Sequence, residues 1–131
     1  MTSSTKTRFA AVALAAFASA AIATPAYAAD GDVIKEGPCS GASDWKLKAS
    51  EENGAIEVEF EVDTNINGQK WQVRLSDNGT RIFQGTRTTV APSGSFEVRV
   101  VTPNQAGPDK ILGQAKNNAT GETCVGRVTF P

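Results

Sequence analysis

Lys70-Trp71-Gln72-Val73-Arg74-Leu75-Ser76 alternates apolar and polar residues, with Trp71, Val73 and Leu75 on one side. A period of two is the signature of a strand buried on one face only. The run stops at Asp77-Asn78-Gly79, and Asn-Gly between alternating segments predicts a tight hairpin.

The same period recurs outward from this strand. Ala55 to Val62 places Ile56, Val58, Phe60 and Val62 on one face and Glu57, Glu59 and Glu61 on the other. A helix would scatter these residues around its circumference. Asp44 to Ala49 puts Trp45, Leu47 and Ala49 inward, and Ser95 to Thr102 does the same with Phe96, Val98 and Val100. Glu122 to Phe130 sorts Cys124, Gly126, Val128 and Phe130 to one side, and Asp109 to Lys116 sorts Ile111, Gly113 and Ala115. After the Asn-Gly turn, Arg81 to Gln84 makes a short return strand, with Gly85 as a bulge or bend and a further β-branched run over Thr86 to Val90. Polar turns rich in Gly, Asn and Pro separate these runs. No segment carries a helical period and no repeat is visible. Seven or eight short strands predict an all-β, two-sheet antiparallel sandwich.

The first 28 residues belong to a different class. Lys6 and Arg8 open the chain, Phe9 to Ala23 is apolar and alanine-rich, and Ala26-Tyr27-Ala28 offers small residues for cleavage. This three-part pattern reads as a cleaved signal peptide over 1–28, which makes the protein secreted and extracellular. Residues 29–43 show no period and read as a flexible leader tethered at Cys39; residues 44–131 form the sandwich domain. No later run is long and apolar enough to span a membrane.

Composition then removes several chemistries. The chain has no His, and its one Tyr (Tyr27) and one Met (Met1) lie in the signal. His-based triads and His metal ligands are excluded. Of 13 basic and 14 acidic residues, losing Lys6 and Arg8 leaves an excess of three acids, which points away from a nucleic-acid partner. Two cysteines in an exported chain predict one disulfide, Cys39–Cys124.

The order of strands, with Trp71 on the third and Ala-x-Asn-x-x-x-Gly over Ala115 to Gly121, resembles an immunoglobulin-like or fibronectin-III-like sandwich. The disulfide departs from the antibody pattern, because it ties a segment before the first predicted strand to the last one. Cys-Ser-Gly-x-Ser-x-Trp-Lys-Leu (Cys39 to Leu47) and Gly-Glu-Thr-Cys-x-Gly (Gly121 to Gly126) are similar to small secreted actinobacterial proteins of unassigned function. That resemblance implies a compartment and a fold.

Four groups of residues are candidates for chemistry. Asp63-x-Asn65-x-Asn67-Gly68 matches the first half of a calcium loop, but Arg74 stands where a bidentate Glu is needed. A turn whose Asx side chains bond their own backbone is the preferred reading, and no metal is expected. Glu57, Glu59 and Glu61 read as a solvated row pairing across strands with Arg99, Lys46 or Lys48. Trp45 and Trp71 fall on inward faces and read as core, in preference to sugar platforms. The loops 63–69, 91–94 and 117–122 are predicted to meet at one end, gathering Asp63, Asn65, Asn67, Asn117, Asn118 and Glu122 as possible binding residues. Replacing Asn65, Asn67, Asn117 and Asn118 together is then expected to abolish binding with little loss of stability.

These features predict a secreted, non-catalytic binding or structural module, with no cofactor, acting on an extracellular protein or cell-surface component. The alternative is an inhibitor, for example of a protease, presenting the loop Pro103 to Asp109.

Overall fold

A computed structural model describes residues 31–131. The predicted signal peptide lies outside the described residues. Eight strands follow in order: β1 Val33–Pro38, β2 Asp44–Glu52, β3 Ala55–Asp63, β4 Lys70–Asp77, β5 Thr80–Thr88, β6 Ser95–Pro103, β7 Asp109–Asn117 and β8 Thr123–Phe130. They form two four-stranded antiparallel sheets, ordered β1-β2-β3-β6 and β5-β4-β7-β8. The predicted two-sheet sandwich is the observed one. With β1 set aside, β2-β3-β6 faces β5-β4-β7-β8, the strand arrangement of an immunoglobulin-like sandwich.

The core is the sum of the inward rows. Leu47, Ala49, Ile56, Val58, Phe60, Val62, Trp71 and Leu75 are all fully buried. Trp71 is the largest of these side chains. Its ring meets Phe96 at 6.3 Å between centroids, tilted by 53°, and its Nε1–H donates to Gln69 Oε1 at 3.2 Å. A buried indole N–H left unpaired would be costly, so Gln69 completes the packing. The strand that opens this account is the fourth, not the third.

That renumbering comes from β1, which corrects the reading of 29–43 as a flexible leader. Val33–Pro38 pairs along its whole length with β2, from Val33↔Ala49 to Pro38↔Asp44. It lacks a period-two signature for a specific reason. Gly37 pairs with Trp45, and a Cβ there would fall 2.8 Å from Trp45 Cζ2. The inward position must be empty, so no apolar residue marks it. Pro38 at the strand end and the edge position hide the rest.

The β4–β5 hairpin turns at Asn78 (φ 49°) and Gly79 (φ 82°), the positive-φ pair that Asn-Gly predicts. Beyond it, β5 is one continuous strand in place of two short ones. The register shift lies between Leu75 and Ser76, which face Phe83 and Arg81. The extra residue is therefore Ile82, and Gly85 pairs in register with Val73.

Cys39 and Cys124 form the predicted disulfide, with Cα atoms 4.3 Å apart. Cys39 follows β1 in the first sheet and Cys124 lies on β8 in the second, so the bond staples the two sheets at one edge. Ser40 N donates to Thr123 O at 2.8 Å, and Thr123 N donates to Ser40 Oγ at 2.9 Å beside it. Among the described residues, no helix is long and apolar enough to cross a membrane.

Candidate functional site

The three predicted loops do meet at one end, joined by backbone hydrogen bonds. Thr64 N donates to Gly94 O at 2.9 Å, Gly68 N to Thr89 O at 2.7 Å, and Asn118 N to Lys70 O at 3.0 Å. The disulfide segment 39–43 lies at the same end, because Pro38 pairs with Asp44 and Asp44 with Asp63. A hollow of about 440 Å³ opens there, lined by Ser40, Gly41, Ala42, Ile66, Gln69, Asn117, Thr120, Gly121 and Glu122.

Several of the predicted binding residues at this end help to build the loops. Asp63 Oδ1 accepts from Asn65 N at 3.2 Å, the Asx turn expected of that stretch. Asn65 itself sits at φ 59°, a conformation that Asn tolerates better than most residues. Asn117 is 3% exposed, and its Oδ1 accepts from Ala119 N at 2.9 Å and Thr120 N at 3.2 Å. Glu122 is half-buried and lies against Gly41, where a Cβ would clash with its carboxylate. Only Asn67 and Asn118 are exposed side chains outside this scaffolding role. The expectation that all four asparagines can be replaced at little cost is therefore corrected at Asn117, whose buried side chain holds the turn by accepting from Ala119 N and Thr120 N.

Two threonines that the sequence does not single out complete the scaffold. Thr64 Oγ1 lies 2.8 Å from Gly94 O and accepts from Ile66 N at 3.0 Å. Thr89 Oγ1 donates to Ile66 O at 2.5 Å and accepts from Gln69 N at 2.9 Å. Both are buried. Only the pairing of distant loops makes these hydroxyls necessary.

The outward faces of the two sheets differ in charge. On the β1-β2-β3-β6 face, Glu36–Lys46–Glu61–Glu97 forms one cross-strand row and Ile34–Lys48–Glu59–Arg99 the next. Lys48 and Arg99 are engaged, whereas the predicted partner Lys46 has no ion pair among the described residues: Lys48 lies 3.4 Å from Asp32 and 3.6 Å from Glu59. Arg99 contacts Glu59, and reaches Glu97 at 3.4 Å and Glu57 at 3.8 Å. Glu59 and then Glu57 hold the Arg99 guanidinium above its ordinary pKa. The predicted pairing of the glutamate row with Arg99 and Lys48 is thus observed. Such solvent-exposed pairs contribute little to stability.

On the β5-β4-β7-β8 face the rows are Thr86–Gln72–Lys116–Thr123, Gln84–Arg74–Gln114–Val125 and Arg81–Ser76–Leu112–Arg127. Lys70 and Lys110 extend the face at its two ends. Lys70, Arg74, Arg81, Lys110, Lys116 and Arg127 are all exposed, and no strand residue directed outward here is acidic. The only acids on these four strands, Asp77 and Asp109, are fully buried. Among the described residues every ion pair lies on the opposite sheet. A shallow hollow of about 260 Å³ opens among Gln72, Arg74, Gln84, Gln114, Lys116 and Val125.

The tryptophans are packing residues. Trp45 is half-buried; its ring lies over Gly37 and Gly126, and its Nε1–H donates to Pro38 O at 3.2 Å. The loop before β7 is pinned to the β4–β5 turn: Lys110 N donates to Asn78 Oδ1 at 2.9 Å, and Asn78 N to Lys110 O at 2.9 Å. Among the described residues no group of three or more acidic or cysteine side chains is arranged to hold a metal ion.

Compared with protein-family models, curated proteins and solved structures, the chain has no match.

Proposed function

We propose that the chain is an exported, non-catalytic module that binds an anionic polymer of the cell surface through the outer face of β5-β4-β7-β8. One observation carries this reading: six exposed cations share a face with no acid among its outward strand residues. Neighbouring strands are ~4.8 Å apart and alternate residues along a strand ~7 Å. The cations therefore form a grid facing solvent, and their potentials add.

The residues between the cations favour a sugar-containing polymer bearing phosphate or carboxylate groups. Gln72, Gln84, Gln114, Thr86 and Thr123 supply amides and hydroxyls that both donate and accept, as hydroxyl-rich chains require. Arginine forks suit carboxylate and phosphate oxygens. No aromatic side chain lies on these cross-strand rows to stack on a base, and a four-stranded sheet face does not enter a duplex groove.

Retention on immobilised polygalacturonate at low salt tests the reading. Retention should fall steeply between about 50 and 200 mM salt through release of condensed counterions. The variant R74Q/K116Q/R127Q should lose retention while keeping its unfolding midpoint. Equal retention of that variant, or displacement by duplex DNA at far lower concentration than by soluble polygalacturonate, would sink the proposal.

A further inference from the structure

Asp77 closes β4 and Asp109 opens β7, at the end of the sandwich away from the disulfide. Both side chains are 0% exposed. Asp77 Oδ1, Asp77 Oδ2 and Asp109 Oδ2 have no hydrogen-bond partner among the described residues. The fourth oxygen, Asp109 Oδ1, accepts one long bond of 3.4 Å from Gln105 N. Two buried carboxylates left this way would carry a large desolvation cost if both were ionised.

Among the described residues no cation pairs with either carboxylate. Arg81 stands opposite Ser76, and Lys110 follows Asp109, so both belong to the outer face. Phe130 pairs with Asp109 on β8. Glu51 and Glu52 lie exposed at the β2–β3 hairpin of the other sheet. Asp109 is the one charge acting on Asp77.

We propose that Asp77 and Asp109 share a single proton, and that this proton makes the far end of the sandwich a latch, closed in mildly acidic surroundings and loosened at neutral pH. One carboxyl O–H donates to the other carboxylate, so two orphaned oxygens gain a partner and the pair carries one charge in place of two. The latch joins the β4–β5 turn to the loop 103–109. The Asn78 hydrogen bonds to Lys110 lie directly beside it.

Burial, then hydrogen bonding and charge from Asp109, push the Asp77 carboxyl up from 3.8 to about 6. The sign follows from that direction. Below the unfolded value both states hold the proton and nothing is gained or lost. Between about 4 and 6 the folded protein keeps a proton that the unfolded chain releases, so stability falls as pH rises through this window and levels off above it.

The test is the thermal unfolding midpoint of the wild type, Asp77→Asn and Asp109→Asn from about pH 4.5 to pH 7.5. An asparagine supplies a permanent N–H where the shared proton would sit. The wild type should lose stability relative to either variant across that range, by on the order of 30-fold in the folding equilibrium constant. Carboxyl carbon NMR of the wild type should show one aspartate stepping near pH 6, and this holds as a readout even if both variants fail to fold. Parallel pH profiles with all aspartates titrating at ordinary values would overturn the latch. So would a midpoint at pH 7.5 raised by millimolar calcium in the wild type alone, since a cation would then hold the pair.

Discussion

Opening the Cys39–Cys124 bond removes the one covalent constraint between the two sheets. The cysteines are separated by 85 residues, nearly the full length of the sandwich. For a closed loop of that size the chain-entropy model gives roughly 4–5 kcal/mol, acting through the unfolded state. A domain of this size has a net stability of about 5–15 kcal/mol, so the bond supplies a large share. Each kcal/mol moves the midpoint of a domain of 60–100 residues by roughly 4–8 °C, so reduction should lower it by about 15–40 °C. Cys124 is fully buried, so the protein is reduced in denaturant and refolded under reductant. Unfolding is then followed by circular dichroism beside the oxidised form. Loss should begin at β1, which pairs only with β2 at the sheet edge and is anchored beyond it by the disulfide; amide exchange over Val33–Pro38 should rise first. A midpoint lowered by less than about 5 °C, with β1 still protected, would refute this account of the bond.

Two glycines on the inner face give an ordered pair of outcomes. A Cβ at Gly113 would lie 2.9 Å from Phe60 Cδ2, and one at Gly126 would lie 2.6 Å from Trp45 Cζ3. Phe60 is fully buried and has nowhere to move, whereas Trp45 is half-buried at the edge. Gly113→Ala should cost about 1–3 kcal/mol and Gly126→Ala less, with a red-shifted tryptophan emission as Trp45 swings outward; denaturant titration giving the reverse order would contradict this packing. Asn117→Ala should cost about 0.5–1.5 kcal/mol by removing the acceptor of the Ala119 and Thr120 amides. Asn118→Ala, at an exposed position, should change the midpoint negligibly, and equal effects at the two sites would show that the turn is not built on Asn117.

The strands that the sequence discloses are those whose inner row can hold large apolar residues. Ile56, Val58, Phe60 and Val62 announce β3 because nothing opposes them. β1 is silent because Trp45 already occupies the space over Gly37. Residues 80–88 look broken in two because Gly85 interrupts the pattern, yet the irregularity is at Ile82, where the hairpin needs an extra residue. The loop end was legible as a place and not as a set of roles: the residues that favour turns, Asp63, Asn65 and Asn117, are here spent on making turns. Asp77 and Asp109 read as ordinary hairpin and strand-end residues, because no local pattern says that two chain segments 32 positions apart bring their carboxyls together inside the core.

Net charge misleads here for a geometric reason. A sandwich has two solvent faces, and alternation assigns every outward residue to one of them. Summed along the chain, acids slightly exceed bases, which suggests a surface with no preference for anions. Sorted by sheet, most of the acids lie outward on β1-β2-β3-β6, where they engage Lys48 and Arg99. The exposed cations of the other sheet are left without acids beside them. The two faces are separated by a core about 10 Å thick, comparable to the Debye length at 0.1 M salt. An anionic polymer approaching the basic face therefore meets its cations at closer range than the acids of the opposite face. Once the topology places β4, β7 and β8 in one sheet, the outward residues of Lys70–Ser76, Asp109–Lys116 and Glu122–Phe130 make one list: Lys70, Gln72, Arg74, Ser76, Lys110, Leu112, Gln114, Lys116, Thr123, Val125, Arg127 and Thr129. That list contains no acid, and the charge that decides a partner belongs to a face before it belongs to a chain.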